Sequence, residues 1–487
     1  MTQFAPACDG QHMDTAKREG IKPKVALITL VDHRDEFYAL RAPLAEAEMV
    51  TVRTLLGGEV EIVLDVLVRK NEAARAAGHE ARRTGADVLL LHTPIWAPPN
   101  LGLVTARIAG LPVGILANTS LATSGLPGLL SLAATLDQVG IPHRRFFGDL
   151  ADQSFRGKVL AFCRAAATRS ALVGNRLGLL GGFGVGLYSA GFDPGQWQRI
   201  FGVETVHQDQ MEIVRRAEEV PEAEVDRFVQ WLVRRVGRIE LGAPTLTPAH
   251  LARQIRSYLA TRALANEMGY DFLALKCQPE LSDGYALQCL NVALLNDPYD
   301  ADGLKPPLPC SCEADADGAL TMRILNLLSG GAPTALLDVR GFLPKEGILV
   351  LANCGAMATY FAGRSQRAEE NLAKVHVLPH VFGRAGGGTT QFVAAPGPIT
   401  LARLCRRNGR YWMAVMAGEA VAKPREDLRQ STYVWPHAFV KTRCDFAEFV
   451  AEYGANHFLT VAGDWRDELS DFCRLLELDY HDYTGGE

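Results

Sequence analysis

The 487-residue sequence is short of several things that would have decided its class at once. No window approaches the roughly eighteen uninterrupted apolar residues of a membrane-spanning helix, so a spanning protein is not expected. No Lys/Arg run with interleaved aromatics occurs, and the formal net charge is only −5, which argues against a nucleic-acid partner. Met1 to Lys24 is polar and charged without an apolar core of signal-peptide length. It reads as a loosely docked lead-in, with the cytoplasm as the expected location. The ten cysteines are scattered, and the one close pair, Cys310 and Cys312, has no second pair at zinc-ligand spacing. Neither a disulfide framework nor a zinc module follows, and buried thiols are expected.

What is present is an ordinary globular composition, 48% hydrophobic and 22% charged, in a chain too long for a single core. Val25 to Val31 reads as a buried strand opening a parallel α/β domain, and it ends at Asp32-His33-Arg34-Asp35. Ala86 to Leu91 is a second such run, leading into Thr93-Pro94-Ile95-Trp96. Carboxyl ends of strands are where open α/β sheets bind ligands, which marks Arg34 and Trp96. A second α/β unit restarts at Arg176, with helices over Val225 to Arg238 and Thr247 to Met268, the latter capped by Thr247. Gly182, Gly184 and Gly186 follow its first strand, but their spacing is not that of a dinucleotide fingerprint. The run Phe272 to Gln278 places Gln278 at another carboxyl edge.

Beyond Asp338 the texture changes to short strand-like runs separated by Gly and Pro, as expected for an antiparallel sheet or barrel. The fold class is therefore α/β: two Rossmann-like domains, 1–170 and 171–332, then a mostly antiparallel, barrel-like domain over 333–487.

Two carboxylates stand out. Glu313 precedes the helical run Ala319 to Leu328, and Asp338 sits at the end of the apolar run Ala335-Leu336-Leu337. Acids in such places are poorly placed for solvation and call for a charged partner. With a histidine they would form an oxygen-rich donor set suited to Mn²⁺, Mg²⁺ or a related divalent ion, and His376, His380, His437 and His457 are the candidates. Spacing does not choose among them.

Several segments in one order resemble the L-fucose isomerase family of metal-dependent aldose–ketose isomerases: Asp32-His33-Arg34, Thr93 to Trp96, Cys277-Gln278, Cys312-Glu313-Ala314-Asp315, Leu337-Asp338-Val339-Arg340, Asn353-Cys354-Gly355, Val434-Trp435-Pro436 and Tyr453 to His457. The resemblance spans nearly the whole chain. It implies that Glu313, Asp338 and His457 hold Mn²⁺, with Mg²⁺ or Co²⁺ as other suitable ions. It implies that Glu313 and Asp338 are also the catalytic acid and base. Arg34, Trp96, Gln278, Cys354, Trp435, His437 and Asn456 are implied to bind or border the sugar, with Arg34 and Trp96 reaching a neighbouring subunit of a homo-oligomer, by resemblance a hexamer. The expected reaction is isomerisation of an open-chain pentose or 6-deoxyhexose through an enediolate. Cys354, Thr389 and His437 depart from the fucose enzymes' Ser, Tyr and small polar residue, which leaves the sugar open. An epimerase or lyase on a related sugar or sugar acid is the alternative, and a non-catalytic sugar-binding protein the third reading.

Overall fold

A computed structural model describes residues 21–485, so the lead-in up to residue 20 lies outside it. The first unit is a five-stranded parallel sheet in the order Glu61–Val68, Lys24–Leu30, Val88–His92, Val113–Asn118, His143–Gly148. Its central strands are apolar on both faces because helices cover both, and Val88 to Leu91 are fully buried. The strand order reverses between Lys24–Leu30 and Val88–His92, and the loops carrying Arg34 and Trp96 leave from that point.

The second unit is a four-stranded parallel sheet ordered Cys310–Ser311, Phe272–Leu275, Arg176–Leu180, Glu204–Gln208. The long helix here, Pro248–Met268, begins as expected: the Thr247 side chain accepts from the His250 amide while His250 returns a bond to the Thr247 amide. The helix expected over Val225 to Arg238 is Glu222–Val233, ending five residues sooner because the chain turns into the short strand Arg238–Ile239.

The third unit is a closed six-stranded antiparallel barrel. Its order is Gly397–Arg407, His457–Ala462, Thr334–Leu343, Ile348–Ala352, His437–Lys441, Arg410–Ala420, with the last strand pairing back onto the first. Closure leaves the barrel without free edges. Asp338 is not at a strand end as the apolar run suggested; Thr334–Leu343 continues past it as far as Leu343. The segment after Gly386-Gly387-Gly388 forms the strand Gly388–Gln391, which joins a separate three-stranded sheet rather than the barrel.

Register fixes the functional face. Asp338 lies opposite His457 on one side and Ala352 on the other, and Ala352 lies opposite His437. Directly opposed residues point to the same face of a sheet. Their neighbours Leu337, Leu351, Ala438 and Phe458 point the other way, into the barrel core. The row His457, Asp338, Ala352, His437 thus faces outward, on the side where Leu336 and Leu459 pack against Ala316, Leu320 and Ile324 of the helix Ala316–Leu328. No helix among the described residues is long and apolar enough to cross a membrane.

Candidate functional site

Glu313 reaches the barrel from the end of the second parallel sheet. Ser311 pairs with Ala274, and the Ala314 amide donates to the Leu275 carbonyl at 3.0 Å. The chain then turns through two non-glycine residues in the left-handed region, Glu313 at φ +60° and Ala314 at φ +53°. Such backbone costs of order 1 kcal/mol or more per residue and persists only where its surroundings enforce it. One enforcer is the Gly-rich segment: a Cβ on Gly184 would collide with the Glu313 carbonyl oxygen. That close approach is what this glycine serves.

His457 is the centre of the cluster. Its Nε2 lies 3.4 Å from Glu313 Oε2 and 3.4 Å from Asp338 Oδ1, is buried, and makes no hydrogen bond. Its Nδ1 lies 2.8 Å from Asp315 Oδ2. Asp315 has two further tasks: it caps the helix Ala316–Leu328 by accepting from the Gly318 amide at 2.9 Å, and it pairs with the buried Arg403. Burial would raise the Asp315 carboxyl, but Arg403 and His457 overcome this and hold it well below the usual carboxylate range. Burial would lower His457, yet the bond to Asp315, with Asp338 and Glu313 beyond, raises it well above the usual imidazole range. A histidine fixed at one nitrogen by a carboxylate, with its other nitrogen aimed between two more, is the arrangement of a metal-ligating imidazole. The residues present therefore fit a divalent ion.

The other expected residues distribute unevenly. Asn456 stands beside the cluster and its Nδ2 donates to Asp338 Oδ1 at 3.4 Å. Half-buried Trp435 packs near His380 and Phe382, with the Arg340 guanidinium 5.4 Å from its ring centre. Cys354 is buried, 3.8 Å from the sulfur of Cys312, the residue before Glu313. Thr389 donates its hydroxyl to the Cys354 carbonyl at 3.1 Å. His437 is fully buried with Nδ1 on the Trp435 carbonyl at 3.0 Å, and it lines a cavity of about 330 Å³ with Arg340 and Phe439. Burial lowers His437 to about 4, so it is neutral. Gln278 follows the strand neighbouring the one that leads to Glu313, and none of the cluster's hydrogen bonds or ion pairs among the described residues involves it.

Arg34 and Trp96 are not brought to it. Arg34 is held by Asp32 through Nε at 3.0 Å and Nη2 at 2.6 Å, and lies over Phe37 at 4.0 Å and Trp96 at 5.6 Å, half-exposed on the first sheet. Asp315 and Arg403 were missed as functional candidates. Asp315 lies in the segment Cys312 to Asp315 with no role of its own expected; Arg403, a lone charge within the apolar run Ile399 to Leu404, is a legible signal.

Comparison with known proteins agrees with this layout. Residues 22–174 match the first N-terminal domain of L-fucose isomerase, and residues 351–484 match its C-terminal domain. A sulfoquinovose isomerase of Alkalicoccus urumqiensis is 25% identical over 357 residues, covering 73% of this chain and 75% of that protein. An L-fucose isomerase of Haemophilus influenzae is 24% identical over 435 residues, covering 72% and 73%. An L-fucose isomerase of Citrobacter koseri is 23% identical over 549 aligned positions, covering 94% and 92%. The chain belongs to the L-fucose isomerase family and is a sugar isomerase.

Proposed function

We propose that this isomerase is a divalent-cation-dependent aldose–ketose isomerase, acting in the cytoplasm on an open-chain pentose or 6-deoxyhexose. Glu313, Asp338 and His457 hold the ion, Mn²⁺ by preference, with Mg²⁺ or Co²⁺ as alternatives. One observation carries this reading: the buried, unpartnered Nε2 of His457 with a carboxylate oxygen 3.4 Å away on either side. Two carboxylates converging on one buried imidazole nitrogen give a donor set in which a divalent ion would take the place of the imidazole's proton. Among the described residues nine cysteines are free and buried, which suits a reducing compartment.

When bound, the ion supplies a Lewis acid that polarises the sugar carbonyl and stabilises developing negative charge. The chain's residues handle the protons. Glu313 comes from the parallel sheet and Asp338 from the barrel, so a sugar between them meets a carboxylate on each side. One takes the proton from C2 of the aldose and returns it at C1; the other moves a proton from O2 to O1. The sugar passes through an enediolate and leaves as the ketose. Asn456 orients Asp338, and Trp435 offers a flat apolar face to the sugar's C–H side. Arg34 and Trp96, remote from their own chain's cluster, serve the site of another copy in a homo-oligomer.

The test strips the protein of metal, restores Mn²⁺ and screens aldoses, ketoses and aldonic acids. Glu313→Gln and Asp338→Asn should each lower turnover by about 10²–10⁴. Near-normal turnover in either sinks the assigned roles, activity confined to aldonic acids favours the lyase or epimerase reading, and failure of C2 hydrogen to exchange with solvent favours a hydride shift. One observation supports a second reading of the substrate, a sugar bearing an anionic group: Arg340 makes no salt bridge to any described residue and faces Trp435. Weaker binding of anionic than of neutral sugars would remove it.

A further inference from the structure

Four buried thiols and an imidazole gather behind Glu313, and apart from Cys354, expected to border the sugar, none is given a part in the isomerase site described above. Cys289 begins the helix Cys289–Asn296, Cys312 follows the strand Cys310–Ser311, Cys354 lies in the turn after Ile348–Ala352, and His380 follows the strand His376–Pro379. These are separate elements, and they converge. Cys354 Sγ is 3.7 Å from Cys289 Sγ and 3.8 Å from Cys312 Sγ. Cys289 Sγ, Cys354 Sγ and a ring nitrogen of His380 all lie within 4.8 Å of one another. Cys277, the fourth thiol, is buried alongside.

The sulfur separations have a meaning. Ligands about 2.3 Å from a tetrahedral zinc-class ion are about 3.8 Å apart, which is the spacing found here. The turn is built for the approach: Gly355 has φ +113°, and a Cβ there would stand 3.2 Å from Cys289 Cβ and collide with Thr389 Oγ1. Charge selects the ligand set. The two thiolates of Cys289 and Cys354 neutralise a divalent ion, and the neutral imidazole of His380 adds no charge, so the complex can be buried without a counter-ion. His380 enters by leaving the Cys354 carbonyl, now 2.8 Å from its Nε2, and that carbonyl keeps the Thr389 hydroxyl.

We propose that Cys289, Cys354 and His380 form a second metal site, specific for soft or borderline cations of the zinc class. Binding replaces two S–H bonds with two metal–sulfur bonds and releases two protons; nothing is oxidised. Thiolates and imidazole select such ions, whereas the carboxylate-rich cluster at Glu313 suits harder ones.

The probe is Co²⁺, added to reduced, metal-stripped full-length protein already saturated with Mn²⁺. Sulfur-to-cobalt charge-transfer absorption should rise to an end point at one Co²⁺ per chain, vanish in Cys354→Ser, and persist in His457→Asn. Absence of the band in the wild type, or its survival in Cys354→Ser, overturns the proposal. If Cys354→Ser loses its near-ultraviolet circular dichroism, Cys289→Ala takes its place. X-ray absorption of the cobalt-loaded wild type must then show sulfur at about 2.3 Å, and a shell of oxygen and nitrogen only overturns the proposal equally.

Discussion

A single oxygen of Asp315, Oδ2, faces both His457 Nδ1, at 2.8 Å, and the buried guanidinium of Arg403. The helix Ala316–Leu328, which Asp315 caps, and the barrel strand Gly397–Arg407, which carries Arg403, therefore fix together the ring that presents Nε2 to Glu313 and Asp338. Asp315→Asn removes the carboxylate that sets the tautomer. Mn²⁺ binding, followed by calorimetry, should weaken about 10–100-fold. Arg403 is left buried and unpaired, so the metal-free protein should lose about 3–5 kcal/mol in denaturant melts. Unchanged Mn²⁺ affinity in a folded variant would refute the role given to Asp315.

The raised pKa of His457 gives metal binding a pH dependence with a definite sign. In the metal-free protein the imidazole holds its proton at pH values where the unfolded chain, titrating near 6.5, has released it. That stability is complete below about pH 6.5 and fades as pH rises through the folded value. A cation competes for the same lone pair, so Mn²⁺ affinity should fall about tenfold for each pH unit below that value. Thermal melts should show a Mn²⁺-induced rise in Tm that is small near pH 6 and larger near pH 8. A constant increment would mean that the ion does not displace this proton.

Asp317, two residues further along, carries the opposite kind of shift from its neighbour Asp315. Burial pushes it up to about 7, although Arg403 and the Tyr411 hydroxyl, donating at 2.7 Å, pull the other way. An acid raised in the folded state contributes stability below the unfolded value, near 4, and that contribution is lost as pH rises to about 7. Asp317→Asn mimics the protonated form and keeps an oxygen for Tyr411 and Trp197. Its stability relative to wild type should grow by roughly 1.4 kcal/mol per pH unit between about pH 4 and pH 7, then level off. Urea denaturation across that range measures it, and an advantage that shrinks with pH contradicts the assignment.

Periodicity made both α/β sheets and the barrel texture legible, because apolar runs and Gly/Pro punctuation report burial and turns directly. The site was less legible, and register explains why. Asp338 and His457 are neighbours only because the strands Thr334–Leu343 and His457–Ala462 pair, and nothing in their separation along the chain encodes that pairing. Family resemblance, not spacing, singled out His457. The thiol cluster escaped for a similar reason: Cys289, Cys312 and Cys354 come from different elements, so no short spacing joins them. Reading Asp338 as a strand end misjudged it, since an acid can sit mid-strand when its face meets partners rather than core.

Gly184 tests whether the unusual backbone at Glu313 matters to the chemistry. The segment Gly181 to Gly186 follows a parallel strand, as a phosphate-binding loop would, yet a Cβ on Gly184 would collide with the Glu313 carbonyl oxygen. Backbone cannot give way as a flexible side chain would. In Gly184→Ala either the loop retreats or Glu313 leaves its left-handed conformation, and in both cases its carboxylate shifts relative to His457. A displacement of about 1 Å at a reacting group can cost about 10²-fold in rate, whereas a single loop collision costs only a few kcal/mol of stability. Gly184→Ala should therefore lose turnover by one to two orders of magnitude while remaining folded, with Mn²⁺ affinity reduced as well. Gly186, at φ +75° with open space where a methyl would stand, is the control: Gly186→Ala meets only backbone strain and should leave turnover within a few-fold of wild type. If the two variants lose activity equally, the contact between Gly184 and Glu313 is not what positions the carboxylate.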